Sequence, residues 1–218
     1  MEHYKTTILL IDDHPMLRNG VKQLINTMPD FQVVGETGHG NEGITLAEQL
    51  EPDIILLDIN MNDVNGLDIL RHLRAKNISS RIIMFTVSDD REDIITALKT
   101  GADGYLLKDM EPEDFLKSLQ EVMNGKLMMD GPVSHIILNY MRGEEQTTNQ
   151  THDVQLLTPR EYEIFNLLVQ GLSNKLIAKE LDIVESTVKV HVKSIFKKLN
   201  FKSRMEMTVW YLQSGNKA

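Results

Sequence analysis

Five short apolar runs, at residues 7–11, 31–36, 53–57, 81–86 and 103–107, alternate with amphipathic segments of helical length. Strands that recur with a helix-length segment between them must lie parallel, because a parallel pair cannot be closed by a tight turn. The rhythm predicts an α/β fold over residues 1–130, a doubly wound five-stranded parallel sheet with helices on both faces. Punctuation agrees: Pro15 and Pro112 suit the first turns of helices, and Gly101 and Gly125 stand just past helix ends.

Beyond Gly131 the periodicity weakens, and residues 143–153 read GEEQTTNQTHD, with no apolar side chain. Residues 131–154 are therefore expected to form a linker, a short helix followed by a flexible polar segment. Residues 155–218 hold four helical segments and no strand candidate, which predicts a small all-α domain. Charge divides at the same place. The chain carries 23 Lys+Arg and 32 Asp+Glu, net −9, but residues 1–130 hold 12 basic and 23 acidic side chains while residues 155–218 hold 10 and 6. An acidic domain of −11 is thus joined to a basic one of +4, so the total does not exclude a nucleic-acid partner. The absence of cysteine excludes disulfides and thiolate chemistry. No apolar stretch is long enough to span a bilayer and no secretory leader is evident, so the expectation is a cytoplasmic protein without a membrane partner.

Chemistry is concentrated at the strand ends of the first domain. Asp12 and Asp13 follow the first run and Asp58 follows the third. In a doubly wound sheet these ends flank the point where strand order reverses, the usual ligand crevice. Three converging carboxylates need a compensating cation. Mg²⁺ suits them, since it takes one or two carboxylates, waters and phosphate oxygens, leaving one carboxylate free to attack phosphorus. Thr86 and Lys108, at the ends of the fourth and fifth runs, add a hydroxyl and an ammonium. Any one of these residues is ordinarily a turn or cap; their placement at one sheet edge is what points to phosphoryl chemistry.

In the second domain, a wheel of residues 182–200 puts Val188, Val192, Ile195, Phe196 and Leu199 on one face. The other carries Ser186, Lys189, Val190, Lys193 and Lys197. A lysine face alone is usually solvation. Here a short helix precedes it across a tight turn at Asp182-Ile183, which is helix-turn-helix spacing. Residues 175–204 hold 8 basic against 3 acidic side chains, and the apolar Val190 on the lysine face would suit a thymine methyl.

The segments LLIDDHPMLRNGV, DIILLDINMNDVNGLDIL, MFTVSDD and GADGYLLKDMEPEDFLKSL resemble the receiver (flavodoxin/CheY-like) domain of two-component response regulators. LTPREYEIFNLLVQGLSNKLIAKELDIVESTVKVHVKSIFKKLNFKSR resembles the LuxR-type helix-turn-helix. Together they are similar to the NarL/FixJ class, and within it to the nitrate/nitrite regulators of the NarL/NarP kind. The resemblance implies a phosphorylation-dependent DNA-binding transcriptional regulator, not an enzyme acting on a separate substrate. Asp58 would be the phosphoacceptor for a sensor histidine kinase, with Asp12, Asp13, Asp58 and the Asn60 carbonyl holding Mg²⁺. Thr86 and Tyr105 would be the switch pair, with Lys108 against the phosphoryl group. Lys189, Val190 and Lys193 would reach base edges of a double-stranded operator, and Lys179, Ser186, Thr187, Lys197 and Lys198 would lie nearer phosphate. A homodimer formed on phosphorylation, responding to nitrate/nitrite in control of anaerobic respiration genes, and contact with RNA polymerase complete that picture. The same class of regulator serving another signal is the alternative. Met205, Val209, Trp210 and Leu212 suit a core and dimer face.

Many receivers have proline where this chain has Asn62 and Asp109, so the loop after Asp58 loses a fixed φ and a cis bond after Lys108 is not expected. Two other readings compete. A Mg²⁺-dependent aspartyl-phosphate phosphatase would need an acid/base carboxylate where Asn60 stands. A constitutive DNA-binding protein would have no use for the acid, Thr and Lys set.

Overall fold

The computed structural model describes residues 5–123, 128–129 and 152–213. The strands β1 (Thr6–Ile11), β2 (Phe31–Thr37), β3 (Ile54–Leu57), β4 (Arg81–Thr86) and β5 (Gly104–Leu107) form the expected parallel sheet. A two-residue β6 (Met128–Met129) extends it beyond β5, giving the order β2-β1-β3-β4-β5-β6. The helices α1 (Pro15–Asn26), α2 (Gly40–Leu50), α3 (Gly66–Ala75), α4 (Arg91–Thr100) and α5 (Pro112–Met123) make the crossovers. Strand order reverses between β1 and β3, so the loops after those strands open into a shared crevice.

The central strands are apolar throughout because both faces are covered. Leu9, Ile11, Ile55, Leu57, Ile82 and Met84 pack on one side with α2, α3 and α4. Ile8, Leu10, Ile54, Leu56, Ile83 and Phe85 pack on the other with α1 and α5. Local signals set the ends: Pro15 opens α1, Asp90 caps α4 through its side chain, and Gly101 closes α4 at φ 111°, a conformation only glycine adopts without strain. The helix stop expected at Gly125 and nearly all of the 131–154 linker lie outside the described residues.

After a 3₁₀ turn at Val154–Leu156 come α6 (Pro159–Val169), α7 (Asn174–Glu180), α8 (Glu185–Leu199) and α9 (Arg204–Gln213). A capping box between Thr158 and Glu161 starts α6. The core of this domain is built from Phe165, Leu168, Ile177, Val188, Val192, Ile195, Phe196 and Leu199, with Trp210 packed against it. The predicted stripe of α8 is thus the buried one. Met205 and Val209 of α9 do something else: they pack on the core of the first domain, beside α3 and α4. Leu212 is exposed.

Candidate functional site

At the carboxyl ends of the strands, Asp12, Asp58 and Thr86 are buried, and Asp58 is only 1% exposed. Each is placed by strand geometry: the Asp12 amide donates to Thr37 O and the Asp58 amide to Ile11 O, so the ladder continues to the residues that carry the chemistry. Lys108 follows β5, its amide bonded to Thr86 O. Its Nζ stands 2.5 Å from Asp58 Oδ2 and 2.9 Å from Asp12 Oδ2, with the side chain 4% exposed. A buried carboxylate pair sharing one ammonium is strongly bound only while all three are present.

Asp13 completes the cluster. Its Oδ2 accepts from the Asn62 amide at 2.9 Å, while its buried Oδ1 faces the His14 ring nitrogen at 2.8 Å. Asn60 is exposed and its amide donates to Asp58 Oδ1 at 3.3 Å. The ligand atoms of Asp12, Asp13, His14 and Asp58 lie within 4.8 Å of one another. Carboxylate oxygens at that spacing fit a hard divalent cation. Asn62 serves the site through its backbone amide, and no described peptide bond is cis, that after Lys108 included.

Thr86 Oγ1 accepts from the Ser88 amide at 3.3 Å, and the fully buried Tyr105 donates its hydroxyl to Ser88 O at 2.8 Å. Switch candidates on β4 and β5 thus meet on one residue of the intervening loop. Burial holds the Tyr105 phenol above its usual range, so it stays a donor.

Two residues that shape this site carry weaker signals. A Cβ on Gly66 would lie 1.9 Å from Asp58 O, so only glycine lets α3 start against the loop that follows β3. The Asn65-Gly66 dipeptide marks a turn, but not the close approach. His14 puts Nδ1 2.8 Å from Asp13 Oδ1 and 3.3 Å from Asp12 Oδ1, through a local turn in which its own amide bonds Asp12.

The lysine face of α8 forms as expected, but part of it is engaged. Lys189 Nζ donates to Glu51 O at 2.9 Å and lies 3.2 Å from Asp53 Oδ1. Lys193 pairs with the Glu51 carboxylate. Lys198 bonds Glu161 at 2.6 Å; burial opposes ionisation there, yet the bonds from Lys198, Ser194 and Thr158 hold that carboxyl down to about 2. Val190, Ser186, Lys197 and Lys179 are exposed and Thr187 is half-buried.

The second domain therefore docks against the amino-terminal edge of the sheet. Arg81 donates to Gly171 O at 3.0 Å, and the Arg204 amide donates to the buried Asp103 at 2.9 Å. Asp103 also receives Arg74, which is buried with it. Three strands consequently carry an interdomain residue before them or at their start and a residue of the acidic cluster or its neighbour Thr86 at or beyond their end: Asp53 and Asp58, Arg81 and Thr86, Asp103 and Lys108.

Comparison with known proteins gives two family matches, the response regulator receiver domain over residues 8–120 and the bacterial regulatory proteins of the luxR family over residues 155–211. The chain is 56% identical to the nitrate/nitrite response regulator protein NarL of Escherichia coli K12, covering 95% of both chains. It is 41% identical to the nitrate/nitrite response regulator homolog of Haemophilus influenzae, over 97% of this chain and 98% of that one. Among solved structures, the response regulator ChrA of a heme-sensing two-component system is 28% identical with TM-score 0.51, over 96% of this chain and 98% of that one. RcsB of Salmonella typhimurium, at 22% identity and TM-score 0.58 over 97% and 99%, shares the fold.

Proposed function

The chain belongs to the two-component response regulators that join a receiver to a LuxR-type DNA-binding domain and is NarL-like over 95% of its length; from that premise we propose that Asp58 is its phosphoacceptor and that phosphorylation releases α8 for DNA. The observation that carries this reading is the buried Asp58, Asp12 and Lys108 cluster at the strand ends, with Thr86 on the neighbouring strand. A transcription regulator of this kind has no substrate to turn over; the transfer proposed here is its own modification. Asn60, where a phosphatase would need a carboxylate, agrees.

In that transfer, an Asp58 carboxylate oxygen attacks the phosphorus of a phosphohistidine on a partner kinase. The P–N bond breaks, a P–O bond forms, and the imidazole leaves with the electron pair. Asp12, Asp13, Asp58 and the Asn60 carbonyl would hold Mg²⁺, whose charge offsets that of the phosphoryl oxygens. Lys108, already on Asp58, pairs with the new anion. Thr86 turns its hydroxyl toward it, leaving Ser88 and freeing space for Tyr105.

On the DNA side, Lys189, Val190 and Lys193 read base edges, and Lys179, Ser186, Thr187, Lys197 and Lys198 hold phosphates. In the docked form Lys189 and Lys193 are spent on the receiver, so DNA must compete with Glu51 and Asp53. The released protein forms a homodimer on paired half-sites and acts with RNA polymerase in the cytoplasm. Among the described residues no helix is long and apolar enough to cross a membrane. The identity to nitrate/nitrite regulators supports the same signal here, received by a partner sensor histidine kinase, in control of anaerobic respiration genes.

The test is operator binding with and without a small phosphodonor. The wild-type chain gains affinity, and Asp58→Ala gains none. An equal response in both, or none in the wild type, refutes the reading.

A further inference from the structure

His14 has no part in the reading above, yet its ring faces the acidic cluster. It is the N-cap of α1, extended at φ −89° and ψ 98°, with no side-chain cap to the helix. Its amide donates to Asp12 Oδ1 at 2.8 Å, and the turn this makes brings the ring over the carboxylates. Nδ1 stands 2.8 Å from Asp13 Oδ1, 3.3 Å from Asp12 Oδ1 and 3.7 Å from Asp58 Oδ2. Lys108 takes the far side of the cluster, on Asp12 Oδ2 and Asp58 Oδ2.

These separations are those of neighbouring ligands around one ion. Donors about 2.1 Å from a metal stand about 3 Å apart when adjacent and about 4.2 Å when opposite in an octahedron. The further sign is Asp13 Oδ1, which is buried and whose one neighbouring polar partner among the described residues is that ring nitrogen. The Asp13 side chain is only 7% exposed.

Resting on the reading that Asp12, Asp13 and Asp58 hold a divalent cation, we propose that His14 Nδ1 is a further ligand to it. The site is then a mixed imidazole and carboxylate set. Imidazole adds little for Mg²⁺, which prefers oxygen, and much for later first-row ions such as Co²⁺. The chain should therefore bind Co²⁺ more tightly than Mg²⁺, with the margin resting on His14.

The experiment titrates the full, unphosphorylated chain with MgCl2 by calorimetry and with CoCl2 by calorimetry and visible absorption. Wild type, His14→Ala and His14→Gln are compared. Loss of a nitrogen ligand lowers Co²⁺ affinity by about tenfold or more and shifts the Co²⁺ absorption band, while Mg²⁺ affinity stays within about twofold. Glutamine can still donate a hydrogen bond to Asp13, so a merely structural His14 would leave His14→Gln like the wild type for both ions. Equal loss for Co²⁺ and Mg²⁺, or no loss, overturns the proposal. A wild-type chain that binds neither ion overturns the cation reading itself, a result separable from the first.

Discussion

Asp58 is an ordinary residue in an extraordinary position. Every group around it is fixed by backbone: the ladder bond to Ile11, the Lys108 amide on Thr86, and α3 starting at Gly66. Gly66 shows how narrow the tolerance is. Its Cβ would occupy the space of the Asp58 carbonyl, and no side-chain rotation relieves a backbone clash. Gly66→Ala is expected to cost about 2 kcal/mol or more of receiver stability and to blunt phosphorylation; urea unfolding and phosphodonor labelling read the two effects separately. The carboxylates, Thr86 and Lys108 are legible in sequence because each ends an apolar run. Gly66 is not, since its role depends on the Asp58 carbonyl that arrives from another segment.

At the scale of elements, α8 is the informative one. Its amphipathic stripe follows from periodicity, and the structure buries that stripe on α6 and α7. What periodicity could not show is that the polar face has a partner in the receiver. Lys193 and Glu51 are both substantially exposed, so the pair is screened and modest. Reversing it adds repulsion: Glu51→Lys should weaken docking by about 1 kcal/mol, raising operator affinity of the unphosphorylated protein roughly fivefold. Fluorescence anisotropy without phosphodonor measures it, and a non-operator duplex run alongside separates release of α8 from attraction of DNA to the new lysine.

The same interface contains a proton-linked pair. Burial first, then the facing Asp53 carboxyl, pushes Glu185 up to about 7, with Lys189 partly offsetting both. Asp53 is held low; burial opposes this, and the hydrogen bonds with Glu185 and Thr7 and the charge of Lys189 prevail. On undocking, Glu185 returns toward its ordinary 4.5. The docked form therefore binds more protons: its Glu185 contribution is complete below about 4.5 and is lost as pH rises through about 7. Unphosphorylated operator binding should strengthen relative to Glu185→Gln between pH 6 and pH 7.5, about the range of the raised carboxyl. A wild-type chain whose pH profile parallels that of Glu185→Gln would show the pair does not govern docking.

Over the whole molecule, the two domains meet at the edge of the sheet opposite the phosphoryl site. Asp58 lies five positions after Asp53, Thr86 five after Arg81 and Lys108 five after Asp103, roughly 16 Å of extended chain. Movement of Thr86 and Lys108 at one end can thus bias Arg81 and Asp103 at the other through β4 and β5 and the helices packed on them. Phosphodonor treatment should enlarge the radius of gyration in solution scattering by several ångström for the wild type and leave Asp58→Ala unchanged. Raising salt should do part of the same without phosphorylation, since the acidic receiver and basic α8 are held in part by exposed charges.

Sequence by itself determined the alternation of strands and helices, the edge of the sheet that carries Asp12, Asp58, Thr86 and Lys108, the buried stripe of α8, and the division of charge between domains. These are properties of periodicity and order along the chain, which local geometry converts directly into direction in space. Only the tertiary structure decided that Lys189 and Lys193 rest on Glu51 and Asp53, that Met205 and Val209 of α9 complete the receiver's core, and that the His14 ring meets Asp58. Those contacts join segments with no pattern in common, and they follow from how two finished surfaces fit, which no single stretch of sequence encodes.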